Sequence, residues 1–104
     1  MSFEEGVYLD GLYGEYSSLI TENKRGIFEM YYKYDLSLGE IAEIKGISRQ
    51  SVQDSLSSTK RQLLSYEKKL GYYGKKNKVY RLIDGLSEEN KQIGESIKSV
   101  LGDN

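Results

Sequence analysis

Apolar residues recur along this chain at intervals of three and four, the spacing that lines one face of an α-helix. Leu9, Leu12, Tyr13 and Tyr16 form the first such stripe. Gly6, Gly11 and Gly14 weaken that helix by up to about 1 kcal/mol each relative to alanine, so it needs packing to persist. Thr21 is placed to cap a second helix carrying Ile27, Phe28, Tyr31 and Tyr32. Ser37 and Glu40 make a capping-box pattern just ahead of Leu38, Ile41 and Ile44. Gly46 supplies the left-handed residue that ends the third helix. Ser48 caps a fourth, on which Val52, Leu56, Thr59, Leu63, Tyr66 and Leu70 share one narrow face up to a stop at Gly71. About 20 residues at 1.5 Å each give a rod of roughly 30 Å. That outreaches a three-helix core, so its far half is expected to be covered by the last segments, near Asn77–Asp84 and Glu88–Leu101. Ser87 is the expected cap of the final helix, with Glu88 and Glu89 at its positive end and Ile93, Ile97, Val100 and Leu101 on its apolar face.

The expected fold is therefore all-α. It is a helix-turn-helix bundle with a long fourth helix and additional C-terminal helices. Residues 1–104 are read as a single helical domain, with a helix-turn-helix core at 21–70 and a C-terminal helical extension at 75–104. A chain of 104 residues suits one modest core. No apolar run is longer than three residues, which excludes a membrane span or a signal-peptide core from this sequence.

Charge sharpens the picture. The net value of −1 hides a segregation. Residues 1–23 carry −5, residues 48–83 carry +7 and residues 84–104 carry −3. A basic middle in an acidic chain points to a local anionic partner, unless the acidic ends fold back and neutralise it. Histidine, cysteine and proline are all absent. The chain thus lacks the usual general base near neutral pH, the usual nitrogen metal ligand and any thiolate site. No glycine-rich phosphate loop is evident. The reading is a non-enzyme without cofactor or metal, in a cytoplasmic setting.

The stretch SLGEIAEIKGISRQSVQDSL, residues 37–56, carries the sharpest motif. A helix-turn-helix needs a small residue where its helices cross, and Ala42 fits. It needs a turn residue that tolerates positive φ, and Gly46 fits. Ile41, Ile47 and Val52 supply the flanking apolar positions. Lys45 stands where an apolar residue is usual, and Ile44 beside it is expected to take that role.

From Thr21 to Tyr73 the chain resembles the YlxM-like bacterial proteins and, more distantly, the C-terminal domain of sigma factors. LSLGEIAE, SRQSV and YEKKLG are the most specific pieces, and the opening LDGLYGEYSSLIT is similar too. The resemblance implies an all-helical protein with a sigma-like helix-turn-helix. Family genes lie beside those of the signal recognition particle GTPase and its receptor, which implies an accessory or regulatory role in that pathway. The partners it implies are that particle's RNA, its GTPase or the receptor. The family often has Lys-Arg where this chain has Ser57-Ser58, which removes two positive charges from the fourth helix.

Candidate contact residues follow from the helix-turn-helix. If the fourth helix meets a major groove, its N-terminal residues face the base edges. Ser48 stands at the start of the helix as a further candidate; Arg49 and Gln53, with Lys60 further along, lie on one flank, and Gln50, Ser57, Arg61 and Lys68 lie opposite. Arg49 suits a guanine edge, and Gln50 or Gln53 an adenine. A second, denser cluster runs through Lys68, Lys69, Lys75, Lys76, Lys78 and Arg81. Such ammonium and guanidinium groups suit a phosphate backbone, including RNA. Two other readings stand beside the accessory role. One is a transcription regulator that binds duplex DNA as a homodimer through paired long helices. The other is a protein-interaction module in which the motif only packs. Most of the ten tyrosines sit at core spacing; Tyr72 and Tyr73, beside lysines, are the exceptions.

Overall fold

The computed structural model describes residues 2–102, and every regular element among them is helical. Six α-helices follow in order: α1 (Phe3–Tyr16), α2 (Glu22–Tyr32), α3 (Leu38–Lys45), α4 (Arg49–Leu70), α5 (Tyr72–Asp84) and α6 (Lys91–Val100). The all-α bundle and its long fourth helix are as expected. The chain divides into two compact units, Met1–Leu70 and Gly71–Asn104.

In the first unit, α1, α2 and α3 all pack on α4. The caps act where the sequence puts them. The Thr21 hydroxyl accepts from the Lys24 backbone N–H at 3.4 Å. At α3 the capping box is reciprocal: Glu40 N–H donates to Ser37 Oγ at 3.0 Å, and Ser37 N–H donates to Glu40 Oε1 at 2.9 Å. Two stripes supply the core. Leu9, Leu12, Tyr13 and Tyr16 of α1 are buried, as are Ile27 and Phe28 of α2. Tyr13 stacks on Phe28 with ring centroids 4.4 Å apart. That packing holds α1 helical through its glycines. Ile27, Ile41, Ala42, Val52 and Leu56 form the cluster beneath the turn. From α4, Val52, Leu56, Thr59 and Leu63 are buried, and the Thr59 hydroxyl donates to the Ser55 carbonyl one turn back at 3.0 Å.

Along its far half α4 packs against α1 and the turn that follows it. Tyr16 donates its hydroxyl to Glu67 at 2.5 Å and packs on Tyr66 at 5.9 Å. Tyr66 in turn donates to the Leu19 carbonyl at 3.3 Å, in the short 3-10 turn (Ser17–Leu19) after α1.

The second unit pairs α5 with α6. Here the helix bounds differ from the expectation. Helix α5 begins at Tyr72, because Gly71 (φ 60°) both ends α4 and caps α5. The final α-helix begins at Lys91 after a 3-10 turn (Glu88–Asn90). Ser87 has the extended backbone of a cap, but its oxygen accepts from the Asn90 side chain at 3.2 Å and caps no backbone N–H. Gly94 is buried where α6 meets α5; a methyl group there would fall 2.5 Å from Ile83 Cγ2. Its hydrogen side chain is what allows the close crossing.

Candidate nucleic-acid interface

The turn between α3 and α4 is built as a helix-turn-helix requires. Gly46 sits at φ 66° and ψ 35°. Its N–H reaches the Glu43 carbonyl at 3.3 Å, and the Ile47 N–H reaches the Ala42 carbonyl at 3.0 Å. Those two bonds are the Schellman pattern, which satisfies the last carbonyls of α3 while reversing the chain. Buried Ala42, Ile41 and Val52 hold the crossing. The position at Lys45 resolves differently from the sequence reading. Ile44 is 60% exposed and does not fill the apolar role. Lys45 is partly buried instead, and its chain lies over Gly26, with Nζ 3.5 Å from where a methyl group would stand. The end of the Lys45 side chain, Cε and Nζ, is therefore what lies against α2 at this point. Ile47 is also more exposed than expected, at 38%.

The sequence-derived contact residues fall into distinct settings. Ser48 is a cap: its oxygen accepts from the Ser51 N–H at 3.0 Å, and its hydroxyl donates to Ser51 Oγ at 2.9 Å. Arg49 is exposed but folds back, and a methyl group at Gly39 would lie 2.8 Å from its Nη2. Gln50 is exposed and donates from Nε2 to Asp54 at 2.9 Å, so a neighbouring carboxylate holds it. Gln53 and Arg61 are exposed. Ser57 is half-buried; the sequence reading set it on the side opposite Gln53, whereas both line one cleft. Its neighbour Ser58 is engaged inside the fold, accepting from Lys24 Nζ at 2.9 Å, and Gln62 accepts from the same ammonium at 3.0 Å.

Lys60 is paired with Glu5 of α1. The ammonium beside it holds the Glu5 carboxyl below its ordinary range, and the carboxylate pushes Lys60 up. The acidic opening therefore does fold back on the basic helix at this point. Glu5 escaped the sequence reading because it lies 55 residues from its partner, and no local spacing signals such a pair.

The cleft beside Lys60 has a volume of about 310 Å³. Helix α1 contributes Glu5, α2 contributes Tyr31 and Tyr32, and α4 contributes Gln53, Leu56, Ser57 and Lys60. The two tyrosine rings meet edge to face, 5.0 Å apart at 80°. Tyr32 also packs on Phe28 at 4.5 Å, and burial pushes its hydroxyl pKa up. The sequence reading counted both rings as core; their helical spacing was legible, their position at an opening was not.

Among the basic residues of the dense cluster, Lys68 and Lys69 are exposed at the end of α4. On α5, Lys75, Lys78 and Arg81 are exposed at steps of three, which sets them along one ridge. Lys76 is half-buried, with Nζ 5.9 Å from the Tyr72 ring centre and 5.6 Å from that of Tyr80. Tyr72 itself donates to the Leu101 carbonyl at 2.9 Å, which ties α5 to the end of α6.

No helix among the described residues is long and apolar enough to cross a membrane, and no group of acidic side chains among them is arranged to hold a metal ion. The fold and the turn geometry define an all-helical helix-turn-helix protein. Its residues 3–101 match the family UPF0122, described as "Putative helix-turn-helix protein, YlxM / p13 like". A UPF0122 protein of Caldanaerobacter subterraneus is 42% identical over 85 residues, covering 82% of this chain and 73% of that protein. One from Clostridium botulinum is 42% identical over 89 residues, covering 86% and 82%. One from Bacillus cereus is 37% identical over 101 residues, covering 94% and 92%. The chain belongs to this UPF0122, YlxM-like family.

Proposed function

We infer that the protein is a non-enzymatic, nucleic-acid-binding accessory or regulatory factor of the cytoplasm. In this reading the partner is RNA, and the pathway is that of the signal recognition particle, which the family resemblance suggests. The observation that carries the binding reading is the exposed ridge of Lys75, Lys78 and Arg81 on α5. Three exposed cations along one helix, without an acid between them, suit phosphates, whose contacts give affinity without base choice. The N-terminal part of α4 favours this weighting. Ser48 is engaged as a cap, Arg49 lies over Gly39 and Gln50 is held by Asp54, so few groups there are poised for a major groove.

Binding of a structured RNA and of duplex DNA, each measured from 50 to 300 mM salt, tests this. RNA binding should weaken steeply with salt. Changing Lys75, Lys78 and Arg81 together to glutamine should lower the magnitude of the log–log slope by about 2 for a single-stranded contact. Salt-insensitive binding, or a triple variant with the wild-type slope, would overturn the reading. The alternative, a dimeric regulator of duplex DNA, predicts the opposite preference. It also predicts that Arg49→Ala with Gln53→Ala erodes sequence choice while α5 matters little. A pure protein-interaction module predicts no nucleic-acid binding at all.

A further inference from the structure

We propose that the cleft between α1, α2 and the flank of α4 is a pocket for one unpaired nucleobase of a single strand. The proposal deepens the nucleic-acid reading and rests on it for the strand. Size is the first argument. A volume of about 310 Å³ lies at the lower end of ligand-sized cavities, which run from roughly 300 to 1,000 Å³, and is room enough for one base.

The walls are the second argument. Tyr31 and Tyr32 form an aromatic side, and Phe28 behind Tyr32 fixes it in place. A base stacked on a tyrosine gains without regard to its identity. From α4, the Gln53 amide at the same cleft carries both a donor and an acceptor, and the Ser57 hydroxyl does the same. Such groups match the mixed edge of a base. Charge is the third argument, because it rules out simpler occupants. Lys60 is the cation of the cleft, and Glu5 already matches it. A bare phosphate or sulfate would meet the Glu5 carboxylate and gain little. A neutral ring with polar edges avoids that penalty, and the phosphates flanking it stay outside.

The test uses the full chain and an eight-nucleotide RNA strand carrying one 2-aminopurine, with the same sequence as single-stranded DNA and as a duplex. Entry of the base should change its fluorescence in both single strands and not in the duplex. Tyr31→Ala should weaken single-strand binding about 5- to 150-fold, the loss expected for one stacked base. Because Tyr31 also packs on the core cluster, Gln53→Met serves as the second variant at an exposed position. It should weaken binding about 2- to 10-fold, the worth of a hydrogen bond. Neither change should alter the salt slope, since neither removes a cation. A folded Gln53→Met variant and a folded Tyr31→Ala variant that both bind like the wild type would overturn the pocket.

Failure of the wild type to bind any strand would sink the nucleic-acid reading, and the cleft is then judged alone. Adenosine, guanosine, cytidine and uridine at millimolar concentration should shift the Gln53 side-chain amide and the Tyr31 ring signals in NMR spectra. Unmoved signals with all four would sink the pocket as well.

Discussion

Residues 2–70 and residues 71–102 use helices in different ways. In the first set, α4 is enclosed by three partners, and the buried apolar side chains run from Leu9 and Leu12 through Phe28 and Ile41 to Val52 and Leu63. In the second, Ile83 is the buried apolar side chain, and Gly94 is buried beside it. Helix α6 leaves Ile93, Ile97 and Val100 exposed. Two helices offer each other one face apiece, and about 30 residues are too few to close a core of their own. The contrast teaches where stability and surface chemistry reside. The enclosed unit can hold a helix crossing and a shaped cleft; the hairpin presents charge.

The largest expected effect breaks that contrast if it fails. Ile41→Ala removes a fully buried side chain beneath the helix-turn-helix and should cost about 2–5 kcal/mol in chemical denaturation. Ile97→Ala, on the exposed face of α6, should stay within about 0.5 kcal/mol. Equal costs would mean that the second unit is enclosed in solution as firmly as the first.

Glycine substitutions sharpen the same comparison. Gly94→Ala places its methyl group 2.5 Å from Ile83 Cγ2 and 3.1 Å from Leu86 Cδ1. It should cost about 1–3 kcal/mol of overpacking, read as faster hydrogen exchange in α5 and α6 with the α4 core amides unchanged. Gly14→Ala meets nothing within 4 Å and keeps a helical backbone. It should stabilise the first unit by up to about 1 kcal/mol. The same residue type is thus required at one helix crossing and a cost at an exposed helical position.

What the sequence made legible was local. Ser37 with Glu40, Thr21, Ser48 and Gly46 act within four residues of their partners, and each does so as its spacing implies. The stripes of α1, α2 and α4 up to Leu63 mark buried positions for the same reason, whereas that of α6 does not, since Ile93, Ile97 and Val100 are exposed. Distance erased the rest. The Lys60–Glu5 pair and the Tyr16–Glu67 bond join positions 55 and 51 residues apart, so the cover of α4 and the wall of the cleft had no sequence signal. Gly71 was readable as a helix stop but not as a helix start. One left-handed residue suffices to end α4 and begin α5, and composition cannot distinguish that from a longer link. The partial burial of Lys45 had no local signal either, because the room for its side-chain end comes from Gly26 on another helix.

The smallest expected effect is on pH dependence, and it separates the two ways the first unit uses acids. Glu5 sits below its ordinary value of 4.5 because Lys60 donates to it. A carboxyl lowered in the folded state contributes stability above its unfolded pKa, and the contribution fades as pH falls through the folded value. The pair is partly exposed, so the contribution is small. Tyr13 is the converse. Burial, with Glu29 as its acceptor, raises its hydroxyl well above 10.0, so its contribution is complete below pH 10 and fades as pH rises further. Thermal unfolding measured from pH 3 to 11 should therefore lose part of its acid slope in Glu5→Gln and part of its alkaline slope in Tyr13→Phe. An acid limb unchanged in Glu5→Gln would show that α1 does not hold Lys60 in solution. Lys60 would then count among the free cations of α4, and the charge argument for a neutral occupant of the cleft would lose its basis.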